Sequence, residues 1–220
     1  MLGRFLEISV SCTDVLETLH AFTEIGFREI PVGDVWTHPY AVVSDGTLNI
    51  GLHRYDFDSP SLTFVQQNLD QWIAGYRALG IELAFEKLSS ESFNELGFVD
   101  PSGQMTAVLE SRTFSPPPFE DRDVSMFGRF NALEIPTDDP ETSLEFWTKV
   151  GLEEDGRLGT AQLALRFGQA TSLVCHFDGD VMAVAEQAAR RGLTSVKIAG
   201  DERSARMHIA GLTLMTHQSA

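Results

Sequence analysis

The first residues of the chain alternate between apolar and polar side chains, as a half-buried strand requires. Leu6, Ile8 and Val10 share one face, and polar residues lie between them. Asp14 is a typical helix N-cap residue, and apolar residues then recur at helical spacing as far as Gly26. The apolar stripe of this helix is predicted to contain Leu16, Leu19, Phe22 and Ile25. The pattern therefore predicts a strand followed by an amphipathic helix.

Shorter strand patterns follow this helix and are separated by turn signals. They lie near 28–32, 39–44 and 47–54, with turns at 31–33 and 45–46. The same order then recurs, with a strand at 61–66, a helix at 68–79 and strands near 82–87, 93–99 and 104–110. The first half of the chain is therefore predicted to contain two β-α-β-β-β modules.

The second half of the chain repeats the first. Residues 3–27 align without a gap to residues 128–152, and 61–81 resemble 172–193 more weakly. Residues 112–127 contain three consecutive prolines and an acidic cluster, which predict a linker. We expect two domains, 1–111 and 128–220, of the α+β class. The second is shortened because fewer strands fit between Gly151 and Ser172.

Composition and charge exclude several classes of protein. The 220 residues include 43% hydrophobic residues, enough for a sizeable core, and none of the apolar segments is long enough to span a membrane. The net charge of −16 argues against nucleic acid as a partner. Cys12 and Cys175 fit neither a disulfide nor a metal spacing, and there is no secretory signal pattern. These features predict a cytoplasmic protein.

Three motifs accompany the module order. The first helix carries Asp14, Thr18, Leu19 and Phe22, a Gly-Phe pair follows it, and Phe98-Val-Asp-Pro-Ser-Gly103 precedes the last strand of the first domain. With the internal duplication, these features resemble the vicinal oxygen chelate superfamily. That superfamily includes glyoxalase I, bleomycin-resistance proteins, fosfomycin-resistance thiol transferases and extradiol dioxygenases. The resemblance covers residues 3–111 and 128–217 and implies tandem paired modules that form curled mixed sheets around a cavity.

The resemblance also locates a family metal site. In catalytic members, three or four His, Glu or Gln side chains on the concave face hold a divalent metal. In the first domain these positions correspond to Glu7, Gly51, Ser61 and Ala107, and in the second to Ala132, Ser172 and Met215. Glu7 alone retains a ligand. We therefore expect no cofactor, and a divalent metal would require a different assignment of the ligand positions.

His53 lies two residues after Gly51 and so shares its face of the strand. With Glu7 it would form a histidine–carboxylate pair that acts as general acid and base, or supplies two ligands of a displaced metal site. The alternative for His53 is a solvated side chain at the mouth of the sheet. The alternative for Glu7 is a binding group, for instance for an amine, or a carboxylate at an open domain end.

The rest of the predicted concave face is small or polar and leaves room for a ligand. Its candidate binding residues are Ser9, Asn49, Gly51, Ser61, Thr63 and Ala107. Trp36, His38 and Tyr40 would line its wall with flat rings, although Trp36 equally suits a cover over the sheet edge. The acidic charge favours a cationic ligand, and the rings favour an aromatic one.

Three functions fit these observations. The first is metal-independent binding of a small molecule, as in the bleomycin-resistance branch. The second is a lyase, isomerase or dioxygenase of the same superfamily that uses Glu7 and His53 with a metal. The third is a scaffold that contacts another protein. A monomer and a homodimer are both compatible with two complete domains in one chain.

Overall fold

The fold is α+β, with two curled mixed sheets that do not close into a barrel, as predicted. The computed structural model describes residues 2–32, 37–89, 94–110, 125–158 and 163–217. Within these ranges, four helices accompany the two sheets. None of these helices is long and apolar enough to cross a membrane.

The first sheet has eight strands and arises from the two predicted modules. The first module comprises β1 (Arg4–Ser11), α1 (Val15–Glu24), β2 (Arg28–Ile30), β3 (Tyr40–Ser44) and β4 (Asn49–His53). The second comprises β5 (Ser61–Gln66), α2 (Asp70–Ala78), β6 (Leu83–Lys87), β7 (Glu95–Val99) and β8 (Met105–Glu110). The strand order is β2-β3-β4-β1-β5-β8-β7-β6. The first strand of each module therefore lies at the centre, where β1 pairs with β4 in parallel and with β5 antiparallel.

The second sheet has seven described strands. Its first module comprises β9 (Phe130–Pro136), α3 (Pro140–Val150), β10 (Arg157–Leu158) and β11 (Leu163–Gly168). Its second comprises β12 (Val174–Phe177), α4 (Val181–Arg191), β13 (Lys197–Ile198), β14 (Ser204–Ile209) and β15 (Leu212–His217). The strand order is β10-β11-β9-β12-β15-β14-β13. The expected shortening of the second domain lies in its first module, which has three described strands where the first module of the first sheet has four.

The first helix begins where the sequence predicts and packs Leu19, Phe22 and Ile25 on the core as predicted, but not Leu16. Asp14 caps it, with Oδ1 accepting hydrogen bonds from the backbone N–H groups of Leu16 and Glu17. Leu16, predicted in the apolar stripe, is 74% exposed. Because the helix starts at Val15, the buried face follows Val15, Phe22 and Ile25, and Leu16 lies about 100° away from that face.

Aromatic side chains connect the two halves of the chain. Phe27 packs edge-on against Phe177, with ring centroids 6.2 Å apart. The indole N–H of the buried Trp147 donates a 2.8 Å hydrogen bond to Asp100 Oδ2. Met126 and Phe127, at the end of the predicted linker, are buried in the core, whereas residues 112–124 of that linker lie outside the described residues.

Candidate functional site

A buried carboxylate lies at the centre of the first sheet. Glu7 projects from β1 and is only 2% exposed. Its side chain lies over Gly51 of β4: a Cβ atom added at residue 51 would be 2.0 Å from Glu7 Oε1. Glycine at this position therefore provides the space that the Glu7 carboxylate fills.

Three neighbouring side chains hydrogen-bond to this carboxylate. The Tyr40 hydroxyl donates to Glu7 Oε2 at 2.7 Å, and the Ser9 hydroxyl donates to Oε1 at 2.9 Å. His53 Nε2 lies 3.1 Å from Oε1, and the His53 side chain is 6% exposed. Ser9 also shares a 2.7 Å hydrogen bond with Thr63 of β5. Strands β1, β3, β4 and β5 thus meet at one polar network inside the sheet.

The network continues outward through a second imidazole. An ionised carboxylate only accepts, so His53 Nε2 donates to Glu7, and Nδ1 of a neutral His53 is an acceptor. His38 Nε2 lies 3.0 Å from His53 Nδ1 and is therefore the donor of that hydrogen bond. The single proton of a neutral His38 then lies on Nε2. We refer to Glu7, His53 and His38 as the relay.

Burial, and then the nearby imidazole of His53, lower the pKa of His38. The neutral, basic form of His38 is therefore favoured near neutral pH. This agrees with the hydrogen-bond assignment, in which a neutral His38 carries its proton on Nε2.

Aromatic rings surround the outer end of the relay. The His38 ring stacks on Tyr55, with centroids 5.2 Å apart and planes 21° apart. The rings of Tyr40 and Phe57 contact His53 at centroid distances of 4.5 and 5.7 Å. Tyr55 is 60% exposed. The relay therefore runs from a buried carboxylate to a partly exposed imidazole beside an exposed ring.

The other predicted site residues lie on or near this network. Asn49 and Ser61 are buried, and Asn49 Oδ1 has no hydrogen-bond partner among the described residues. Strand register places Thr63, rather than Ser61, opposite Glu7, and Ala107 opposite Thr63. Trp36 lies outside the described residues. The sequence analysis placed His38 on the cavity wall but missed its contact with His53, because only the fold brings the two residues together.

The second sheet contains a similar pair that the sequence analysis missed. Glu134 Oε2 of β9 lies 2.9 Å from His176 Nε2 of β12. A Cβ atom at Gly168 would be 2.3 Å from Glu134 Oε1, so glycine again makes room for the carboxylate. The internal repeat aligns Glu134 with Ser9 rather than with Glu7. For that reason the comparison of the two halves gave no signal for this pair.

Comparison with known proteins supports the fold. No protein-family model matches the chain, and no curated protein matches it by sequence. Among solved structures, a catechol 2,3-dioxygenase matches with a TM-score of 0.58 and 14% identity, over 100% of this chain and 93% of that one. Homoprotocatechuate 2,3-dioxygenase from Brevibacterium fuscum, in complex with 3,4-dihydroxyphenylacetate, matches with a TM-score of 0.66 and 12% identity, over 99% and 80%.

A third structure widens this group. The Mn(II)-bound glyoxalase from Novosphingobium aromaticivorans matches with a TM-score of 0.56 and 12% identity, over 98% of this chain and 81% of that one. This chain has the fold of the vicinal oxygen chelate superfamily. The predicted resemblance is thus confirmed for the fold, and at these identities it does not extend to a reaction.

The described residues do not offer a ligand set for a divalent metal of the kind bound by the glyoxalase. In the described ranges, no group of three or more His, Cys, Asp or Glu side chains is arranged to hold a metal ion. Glu7 faces Thr63 across the sheet, Thr63 faces Ala107, and both Glu7 oxygens already accept hydrogen bonds. A catalytic divalent metal needs about three protein ligands. We therefore derive no step through a metal.

Proposed function

We propose that this protein binds a small organic molecule at the outer end of the relay, against His38 and Tyr55, without a bound metal. The observation that supports this proposal is the hydrogen-bond chain from Glu7 through His53 to His38. A buried carboxylate that orients two imidazoles in sequence is costly to maintain for packing alone, since a hydrophobic cluster of similar volume would serve as well. These hydrogen bonds fix the orientation of His38, the partly exposed imidazole of the relay.

The chemistry at His38 suggests the class of ligand. A neutral, basic imidazole suits a hydroxyl or ammonium donor, and the exposed Tyr55 ring offers a surface for aromatic stacking. The net charge of −16 favours the approach of a cation. An aromatic amine that also carries a hydroxyl group satisfies all three features. One structural neighbour holds a dihydroxyphenyl compound, which supports phenols as the first compounds to test.

Ligand-induced stabilisation tests the proposal. Tyramine, 3,4-dihydroxyphenylacetate and the O-methyl ether of tyramine would be titrated while thermal unfolding is recorded. A ligand at about 100 times its Kd stabilises the native state by about 2.7 kcal/mol. We expect tyramine to protect the wild type and the His20→Gln control, which alters an exposed histidine of α1, more strongly than its O-methyl ether or the anionic 3,4-dihydroxyphenylacetate does. Protection should disappear in His38→Gln. Absence of protection by every compound, or equal protection of His38→Gln, would refute the proposal.

A second candidate function is proton transfer without a metal. The lowered pKa of His38 and its fixed orientation favour it as a general base, with His53 and Glu7 as positioning residues. In this function, His38 removes a proton from a carbon or hydroxyl group of the ligand. His53 and Glu7 stabilise the imidazolium that forms.

Isotope exchange distinguishes this candidate from binding alone. Ligands found by thermal protection would be incubated with EDTA-treated protein in heavy water, and carbon-bound deuterium would be measured by NMR. A proton-transfer enzyme should catalyse exchange with a pH profile that rises as His38 loses its proton. Glu7→Gln should change that pH profile, whereas Glu154→Gln, an exposed control, should not. Thermal protection without isotope exchange would support ligand binding and contradict proton transfer.

A further inference from the structure

The concave face of the second sheet carries a cluster of basic side chains around one buried histidine. His176 projects from β12, is only 7% exposed, and is oriented by its 2.9 Å contact with Glu134. Its ring stacks on that of His217, with centroids 5.7 Å apart and planes 21° apart. The cluster is independent of the relay in the first sheet.

One atom of this cluster lacks a partner. Because Glu134 accepts from Nε2, the other ring nitrogen of His176 must find its own partner. His176 Nδ1 is buried and makes no hydrogen bond within the described part of the chain. Buried polar atoms are nearly always hydrogen-bonded, so an unpaired one needs an explanation. A bound group beside Nδ1 supplies one.

The charge around His176 indicates the sign of that group. Arg166 of β11 lies opposite Glu134 in the strand register, and its guanidinium donates to Asn131 Oδ1 at 3.4 Å. Its side chain therefore extends along β9 toward the position that faces His176. Arg166 forms no ion pair with the described residues, although the whole chain has a net charge of −16.

A second arginine lies further along the same face. Arg206 of β14 is opposite Met215 of β15, and Met215 is opposite His176. Residues opposite one another in a sheet project to the same side. Arg206 is exposed and, like Arg166, has no ion-pair partner among the described residues. The face around His176 is thus locally basic in a strongly acidic chain.

We propose that Arg166, His176, Arg206 and His217 form a binding site for a small oxyanion, a carboxylate or a phosphate group. In the bound state the His176 ring is doubly protonated: Nε2 donates to Glu134, and Nδ1 donates to the oxyanion. The imidazolium neutralises Glu134, so the carboxylate does not repel the ligand. Arg166 supplies the planar pair of donors that matches an oxyanion.

Proton uptake is a signature of this arrangement. Burial lowers the pKa of His176, followed in the same direction by the charges of Arg166 and His217, while Glu134 opposes them. Free His176 is therefore mainly neutral near pH 7, and it gains a proton when the anion binds. The charged or titratable groups beside it are Glu134 from β9, Arg166 from β11 and His217 from β15, and Arg206 from β14 lies further along the same face.

Calorimetric titration of the full chain tests the site. Inorganic phosphate and malonate would be titrated at pH 7 in two buffers with different ionisation enthalpies. We expect one anion to bind with proton uptake and about tenfold weaker in Arg166→Gln and His176→Gln. Arg190→Gln, an exposed arginine of α4, should bind as the wild type does. A preference for phosphate or malonate identifies the group recognised.

Two results would overturn the proposal. The first is that neither anion binds up to about 10 mM, a concentration at which even weak specific sites fill. The second is that Arg166→Gln and Arg190→Gln weaken binding equally, which indicates nonspecific charge attraction. Either result would assign His176 Nδ1 to a buried water molecule. Because Arg166 is exposed, its variant should fold even if His176→Gln does not.

Discussion

The carboxylate of Glu7 fills the space that a side chain at Gly51 would occupy. A Cβ atom at residue 51 would lie 2.0 Å from Glu7 Oε1 and 2.4 Å from Cδ, far inside van der Waals contact. The second sheet repeats the relationship with Gly168 and Glu134, at 2.3 Å. In each sheet, a glycine on the neighbouring strand thus allows a carboxylate to reach a histidine.

This relationship predicts the effect of Gly51→Ala. The new methyl group would displace the Glu7 carboxylate and break its hydrogen bonds with His53 and Tyr40. Overpacking and lost buried hydrogen bonds each cost about 1–3 kcal/mol, so the free energy of unfolding should fall by about 3 kcal/mol. Urea denaturation measures this change.

Two further variants show whether the loss of stability comes from the clash with Glu7 or from replacing any glycine. Gly200→Ala introduces a methyl group into open space and should change stability by less than about 0.5 kcal/mol. In a Glu7→Ala background the clash with residue 51 is absent, so Gly51→Ala should cost much less there. Equal costs in both backgrounds would show that Glu7 does not occupy this space.

Tyr40→Phe should weaken the network without disturbing packing. It removes the hydroxyl that donates to Glu7 Oε2 at 2.7 Å and retains the ring beside His53. Hydrogen bonds to charged groups contribute about 1.5–3 kcal/mol, and we expect a loss of about 2 kcal/mol in urea denaturation. Tyr55→Phe, at an exposed ring, should change stability by less than about 0.5 kcal/mol. Matching losses in the two variants would contradict the hydrogen-bond assignment.

Local sequence patterns predicted most of the helices and strands, because strand alternation and helix capping depend only on residues close together in the sequence. The alternation in β1 and the cap at Asp14 are of this kind, and both are present. Strand parity also placed Glu7 and His53 on one face, where they lie 3.1 Å apart. Their catalytic role remains a prediction. Leu16 was misplaced because helical spacing does not specify which of two adjacent apolar residues faces the sheet.

The site in the second sheet could not be predicted because it depends on register between distant strands. The repeat suggested that Ser61 corresponds to Ser172. In the structure Thr63 lies opposite Glu7, and His176 lies opposite Ala132, so the equivalent positions are Thr63 and His176. An alignment that crosses a gap does not determine such a shift of two residues. Strand pairing determines it.

The lowered pKa of His176 predicts how stability depends on pH. The unfolded chain protonates this histidine near pH 6.5, whereas burial favours its neutral form in the folded state. Just below that pH the unfolded state binds more protons, so the free energy of unfolding falls as the pH decreases. His38, whose pKa is also lowered, acts in the same direction.

Urea denaturation between about pH 5.5 and 8 measures this dependence. The slope should decrease in His176→Gln, in which an amide replaces the titrating ring and still donates to Glu134. His20→Gln, at an exposed position on α1, should retain the wild-type slope. An unchanged slope in His176→Gln would show that His176 does not lose protonation on folding.

A buried hydrogen bond between Trp147 and Asp100 joins the two halves of the chain. The carboxylate of Asp100 accepts hydrogen bonds at Oδ1 from its own turn and at Oδ2 from the buried indole of Trp147. Trp147→Phe leaves Oδ2 buried without this donor and creates a void, so we expect a loss of about 3 kcal/mol. Trp72→Phe is the matched control, because its 3.3 Å bond to the Gln67 carbonyl is exposed and should contribute less than about 1 kcal/mol.

The same variant shows whether the two halves unfold together. If they do, Trp147→Phe should lower the midpoint of a single unfolding transition. Two separate transitions in the wild type would mean instead that this contact does not couple the halves.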